Sequence, residues 1–234
     1  MFLALGLASP AASGSFPPRK AVWGIDVSHH QGVIDWDALR GQGLSFAYIK
    51  ATEGSRRVDH AFSENWQGAA RAGLARGAYH FYNFCEPAAP QAAEFIKLVP
   101  KAAGSLPPAL DLETSDSCRV LPSPKSLRRE LAVFSRKLEA RYGKVPVLYV
   151  SHKIYDLYLK DRKHGFKIWI SDYRGMPVLS DRKPWTFWQC SASAQLRGIK
   201  GAVDVDLFSG SAQQFAFLGK PLPALLAQQS RSRR

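Results

Sequence analysis

The chain has 234 residues, 46% of them hydrophobic, with 32 basic against 19 acidic side chains and a formal charge of +13. That length suits one small α/β barrel better than a sandwich or two domains, the composition excludes a disordered or fibrous protein, and no apolar run is long enough for a membrane-spanning helix. The positive balance concentrates polyanions near the surface, with nucleic acid, anionic lipid and the bacterial envelope as the classes it admits.

In chain order, residues 1–20 open with an apolar stretch from Phe2 to Leu7, followed by small residues at Ala8, Ser9, Ala11, Ala12 and Ser13. The pattern is that of a secretory leader lacking its basic n-region. A barrel is expected over residues 21–215 and a tail over 216–234. Within the barrel, strand-like runs fall at 21–26, 45–50, 77–82, 109–113, 145–151, 167–172, 185–189 and 202–206. Helical patterns lie between them at 36–42, at 59–72 entered through Asp59 as N-cap, at 87–98 with proline in the first turn, at 123–142 closed by Gly143, and after Ser151. The last strands lie too close together for full helices between them. Strands alternating with helices predict a parallel sheet closed into a barrel. No GxGxxG follows the first strand, which argues against a dinucleotide fold.

In such barrels, chemistry sits at the C-terminal strand ends. There the run 106–113 ends in Asp111-Leu112-Glu113. Residues two apart on a strand share a face, so Asp111 and Glu113 project together, and their repulsion favours a proton on one of them. Such a proton is what a departing glycosidic oxygen needs. Asp26 ends the first strand, ahead of a polar turn with Ser28 and Gln31. Asp204 lies in the last strand, beside Asp26 if the barrel closes, and Asp206 is expected further along and above the site. The aromatic residues Tyr79, Phe81, Tyr149, Trp169, Tyr173 and Trp188, with Gln189, recur at strand ends, where rings can cover the C–H faces of sugars. For Phe81 and Trp169, core packing is an equal alternative.

Cys85 and Cys118 each follow a strand end and could meet on one face of the barrel. A bridge there would suit an oxidising compartment, the alternative being three reduced thiols with Cys190. The pair His29-His30 lacks the spacing of a metal site, so no metal or organic cofactor is expected. Basic clusters at 125–129, 136–137 and 162–164 carry no nucleic-acid-binding motif and read as solvated helical or loop faces.

The ordered set WGIDVSHHQG, SFAYIKATEG, GAYHFY, LPPALDLE, VPVLYVS, IWISDY, TFWQCS and VDVDLF resembles glycoside hydrolase family 25, the lysozyme family of N-acetylmuramidases, over about residues 21–208. The resemblance implies an irregular, flattened (β/α)8-type barrel in a single domain. It implies hydrolysis of the β-1,4 bond between N-acetylmuramic acid and N-acetylglucosamine in peptidoglycan, at a secreted or periplasmic location. It implies Glu113 as general acid/base, Asp111 as its partner, and Asp26 and Asp204 as supporting groups. Two positions depart from the usual pattern: Cys190 stands where an aromatic residue is common and Asp206 where Asn is frequent, both expected to affect the rim and to leave the core acids untouched. A chitinase-like hydrolase, an inactive wall-binding module and a nucleic-acid-binding protein are the alternatives.

Overall fold

In a computed structural model, which describes residues 21–115 and 118–220, strand β1 (Trp23–Val27) pairs with β2 (Phe46–Glu53) on one side and β9 (Ala202–Phe208) on the other. The leader and residues 221–234 of the expected tail lie outside the described residues. Around the ring follow β4 (Ala75–Phe81), β5 (Ala109–Leu112), β6 (Val147–Ser151), β7 (Lys167–Ser171) and β8 (Phe187–Gln195), so eight strands close a barrel. The two-residue β3 (Arg57–Val58) forms a hairpin on β2 and carries that strand past its expected end.

Period-two alternation sorts each strand into two cores. Phe46 and Tyr48, Ala109, Val147, Trp169 and Phe187 point inward and fill the barrel, while Ala47 and Ile49, Leu110, Leu148 and Ile170 point outward into the layer beneath the helices. The β2 aromatics are large, and the neighbouring strands make room for them. A Cβ on Gly24 would stand 2.4 Å from the Phe46 ring, and one on Gly77 would stand 2.3 Å from Tyr48. Any side chain at either glycine would therefore force an aromatic ring off the barrel axis.

The outer layer is built from α1 (Trp36–Gly41), α2 (Phe62–Arg71), α3 (Ala88–Leu98), α4 (Pro124–Tyr142) and α5 (His152–Tyr158). Ser123 caps α4, accepting from Ser126 N at 3.2 Å, and Gly143 ends it in the left-handed region at φ 71°. Helix α2 starts later than expected and has Ala61, not Asp59, at its N-cap. The Asp59 carboxylate is divided between Ala61, whose N–H donates to Oδ1 at 3.0 Å ahead of the helix, and His29, whose Nδ1 lies 2.7 Å from Oδ2. The expected boundary at residue 215 falls inside a further helix, α6 (Ala212–Leu218), whose Phe215 and Leu218 pack against the inner core.

The expected all-parallel sheet holds around the ring through β1, β2 and β4 to β8, with the hairpin strand β3 outside it, but not at β9, which runs antiparallel to both β8 and β1. The connection from β8 to β9 is too short for a crossover helix, and a short connection joins only antiparallel neighbours. No helix separates β7 from β8 or β8 from β9 among the described residues.

Candidate active site

A cleft of about 350 Å³ opens at the C-terminal ends of the parallel strands. Asp26 faces into it from β1, directly opposite Asp204 of β9 in the strand register. Asp111 enters from β5 and is 8% exposed, whereas Glu113, one residue past the strand, is exposed at the mouth. The four sequence-expected acids therefore gather in one cleft.

The aromatic residues divide. Tyr79, Phe81, Tyr149, Trp169 and Tyr173 line the cleft with Gln189. Gln189 is its polar hinge: Nε2 donates to Asp26 Oδ2 at 2.7 Å, while the Tyr149 and Tyr173 hydroxyls donate to Oε1 at 2.8 and 2.5 Å. Trp169 is 2% exposed and spends most of its ring on the inner core. Trp188 does not line the cleft. Alternation along β8 turns Phe187 and Gln189 inward and Trp188 outward, where its indole donates to Asp172 O at 2.6 Å. The same alternation puts Cys190 on the outer face, its thiol donating to Val205 O at 3.1 Å, away from the rim.

Asp206 also departs from expectation. Because β9 runs antiparallel, moving along its chain descends the barrel, so Asp206 lies beneath Asp204 rather than above it. It is fully buried and reaches the Asp26 carboxyl. Lys50 was missed altogether. It is the only lysine or arginine lining the cleft among the described residues, donating to Glu53 Oε2 at 2.8 Å and lying 4.8 Å from the Phe81 ring centroid. The signal was available, since Lys50 continues the inward set Phe46 and Tyr48 by the two-residue rule.

Elsewhere, Cys85 and Cys118 are joined in a disulfide that ties the loop after β4 to the segment after Glu113. A larger hollow of about 520 Å³ lies at the opposite end of the barrel, by Lys144, Lys167 and Phe217, but no carboxylate lines it. Among the described residues, no group of three or more His, Cys, Asp or Glu side chains is arranged to hold a metal ion, and no helix is long and apolar enough to cross a membrane.

The sequence pattern of glycosyl hydrolases family 25 matches residues 25–199. The chain belongs to this family. It is 35% identical to "Uncharacterized protein YegX" of Escherichia coli K12 over 85% of this chain and 73% of that one. It is 34% identical to "Lysozyme M1" of Streptomyces globisporus over 84% and 71%. Among solved structures it resembles a family 25 glycosyl hydrolase from Bacillus anthracis with a TM-score of 0.83 and 37% identity, covering 91% of this chain and all of that one.

The charge in this family 25 cleft is unusual for a folded interior. Burial raises the Asp26 carboxyl well above its ordinary range, and Asp204 raises it further, against hydrogen bonds from Gln189 and Asp206 that pull it down. Burial raises Asp111 likewise, reinforced by Glu113 and Asp26. Asp204 is pushed by burial to about 6. Glu113 is also raised by burial, against a hydrogen bond from Asp111 and the charge of Lys50. These directions carry a stability consequence. A carboxyl that holds its proton more tightly when folded contributes stability that is full below its unfolded value, about 4, and is lost as pH rises through the folded one. Asp172 works in the opposite sense, because Arg174 beside it holds its carboxyl low, and its contribution fades only in strong acid. The melting temperature should therefore peak near about pH 5 and fall by about 5 °C or more by pH 8. Calorimetry across that range would overturn this balance if the melting temperature were level or rising.

Proposed function

We propose that the chain is a lysozyme, an N-acetylmuramidase that hydrolyses the β-1,4 bond between N-acetylmuramic acid and N-acetylglucosamine in peptidoglycan. The observation that carries this reading is the Asp111–Glu113 pair, with one carboxyl buried and one at the mouth of an acid-lined cleft. The family, with its relative Lysozyme M1, supplies the reaction class.

Burial raises both carboxyls and the charge of Glu113 raises Asp111 further, so the free pair retains a proton, with Asp111 the more deeply buried of the two. An acetamido N–H arriving at Asp111 competes with that arrangement. A donor to the Asp111 oxygen favours its anion and moves the proton outward to Glu113. Glu113 then protonates the leaving oxygen. Asp111 holds the acetamide so that its carbonyl oxygen closes on the anomeric carbon, and Glu113 next takes a proton from the water that opens this intermediate. Asp26 and Asp204 stabilise the positive charge of the oxocarbenium-like transition state. Tyr149 and Tyr173, held by Gln189, offer ring faces to the sugar. The route gives net retention. The substrate and the Cys85–Cys118 bridge both support action outside the cytoplasm.

Mass spectrometry of fragments released from purified peptidoglycan tests the bond. Muramic acid at the new reducing end is expected. N-acetylglucosamine there, or hydrolysis of chitin in preference to peptidoglycan, would instead indicate a chitinase-like enzyme. Proton NMR of the first-formed anomer tests the route, and an α product from the β bond would exclude retention.

A further inference from the structure

Asp206 is fully buried below the cleft, and its Oδ1 accepts a 2.7 Å bond from Trp169 Nε1. Its Oδ2 meets no donor among the described residues, and the strand register sets Asp206 on the inner face diagonally below Asp26, whose cross-strand partner is Asp204, so that each carboxyl bears directly on the other. Two carboxylate anions so placed present only acceptors to each other, and a bond forms between them only if one carries a proton. The surroundings decide which. Asp26 accepts from Gln189 at 2.7 Å and borders the open cleft, both of which favour its anion. Asp206 has no such access. Facing it are Asp26 from β1, Tyr48 from β2, Trp169 from β7, Gln189 from β8 and Asp204 on its own strand, while the Cys190 thiol of β8 feels its charge from the outer face. None of these is a cation, and Lys50 is engaged with Glu53.

We propose that Asp206 is a positioning residue of the cleft, a neutral carboxylic acid that donates to Asp26 from below and holds the Asp26 carboxylate in place for the sugar. The bonds then run in one direction. Trp169 donates to Asp206, Asp206 to Asp26, and Gln189 to Asp26 from the other side, with Gln189 itself set by Tyr149 and Tyr173. Loss of the Asp206 proton would replace the bond with repulsion and displace Asp26, so turnover should fail on the alkaline side when this proton leaves. The catalytic part of the inference rests on the muramidase reading, while the protonation part stands without it.

Asp206→Leu removes the donor and should lower kcat about tenfold or more at the pH values where Asp206 keeps its proton, with KM changed much less. Asp206→Asn presents an oxygen to Trp169 and an N–H to Asp26 but cannot ionise. It should restore most of the turnover and carry the alkaline limb to higher pH. Isotope-edited infrared spectroscopy at neutral pH should show a protonated carboxyl band that disappears in Asp206→Asn. The proposal is overturned if folded Asp206→Asn is inactive, if its pH profile matches the unmodified protein, or if that band is unchanged. Should the unmodified protein fail to cut peptidoglycan, the infrared result still decides the protonation, so the two readings fail separately.

Discussion

Replacing Glu113 by Gln should reduce kcat on purified peptidoglycan by about 10³-fold, within the range that a positioned general acid contributes. The melting temperature should stay level or rise slightly. Glutamine keeps the volume and the hydrogen-bonding reach of the side chain but cannot release a proton to the leaving oxygen. It also removes one member of a carboxyl cluster whose like charges oppose one another. Since Glu113 sits exposed at the mouth of the cleft, its substitution opens no cavity. A loss of activity at undiminished stability is therefore the diagnostic pairing. Asp111→Asn should give a smaller loss, about 10²-fold, because the acetamide is misoriented while the acid remains. Undiminished wall clearing by folded Glu113→Gln would remove Glu113 from the mechanism.

The double substitution Cys85→Ser with Cys118→Ser should lower stability by about 3–4 kcal/mol, from the loop entropy released over a sequence separation of 33. For a chain of this size that corresponds to a melting temperature lower by roughly 10 °C. The effect should reach activity as well. Cys118 lies only a few residues beyond Glu113 and is 3% exposed, so the bridge fixes the chain close to the end of β5. Treatment with a reductant should reproduce the shift in the unmodified protein. A melting temperature within about 2 °C of the unmodified value would show that packing alone holds that segment.

Much of this arrangement is readable before any coordinates, because strand alternation is a local steric property. That Asp111 and Glu113 share a face, that Ala109 points the same way and that Leu110 and Leu112 do not, all follow from the pleat of a single strand. The same rule places Lys50 on the inner face of β2 and turns Trp188 away from the cleft. The helix ends at Ser123, Gly143 and Ser151 were legible for a similar reason, since a cap is a contact within one turn. Asp59 misled because a carboxylate before a helix satisfies the same local pattern whether it caps the helix or binds His29 across the fold.

The direction of β9 was of another kind. Its residues alternate identically whether the strand runs up or down the barrel, so Asp204 and Asp206 could be assigned to the inner face but not to a depth. Only the pairing of β9 with β8 and β1 put Asp204 level with Asp26 and sank Asp206 beneath them. Which way a side chain faces is set by its nearest neighbours along the chain, whereas how deep it lies is set by hydrogen bonds to strands far away in the sequence. In this protein that second choice decides whether a carboxyl lines the cleft or lies buried beneath it.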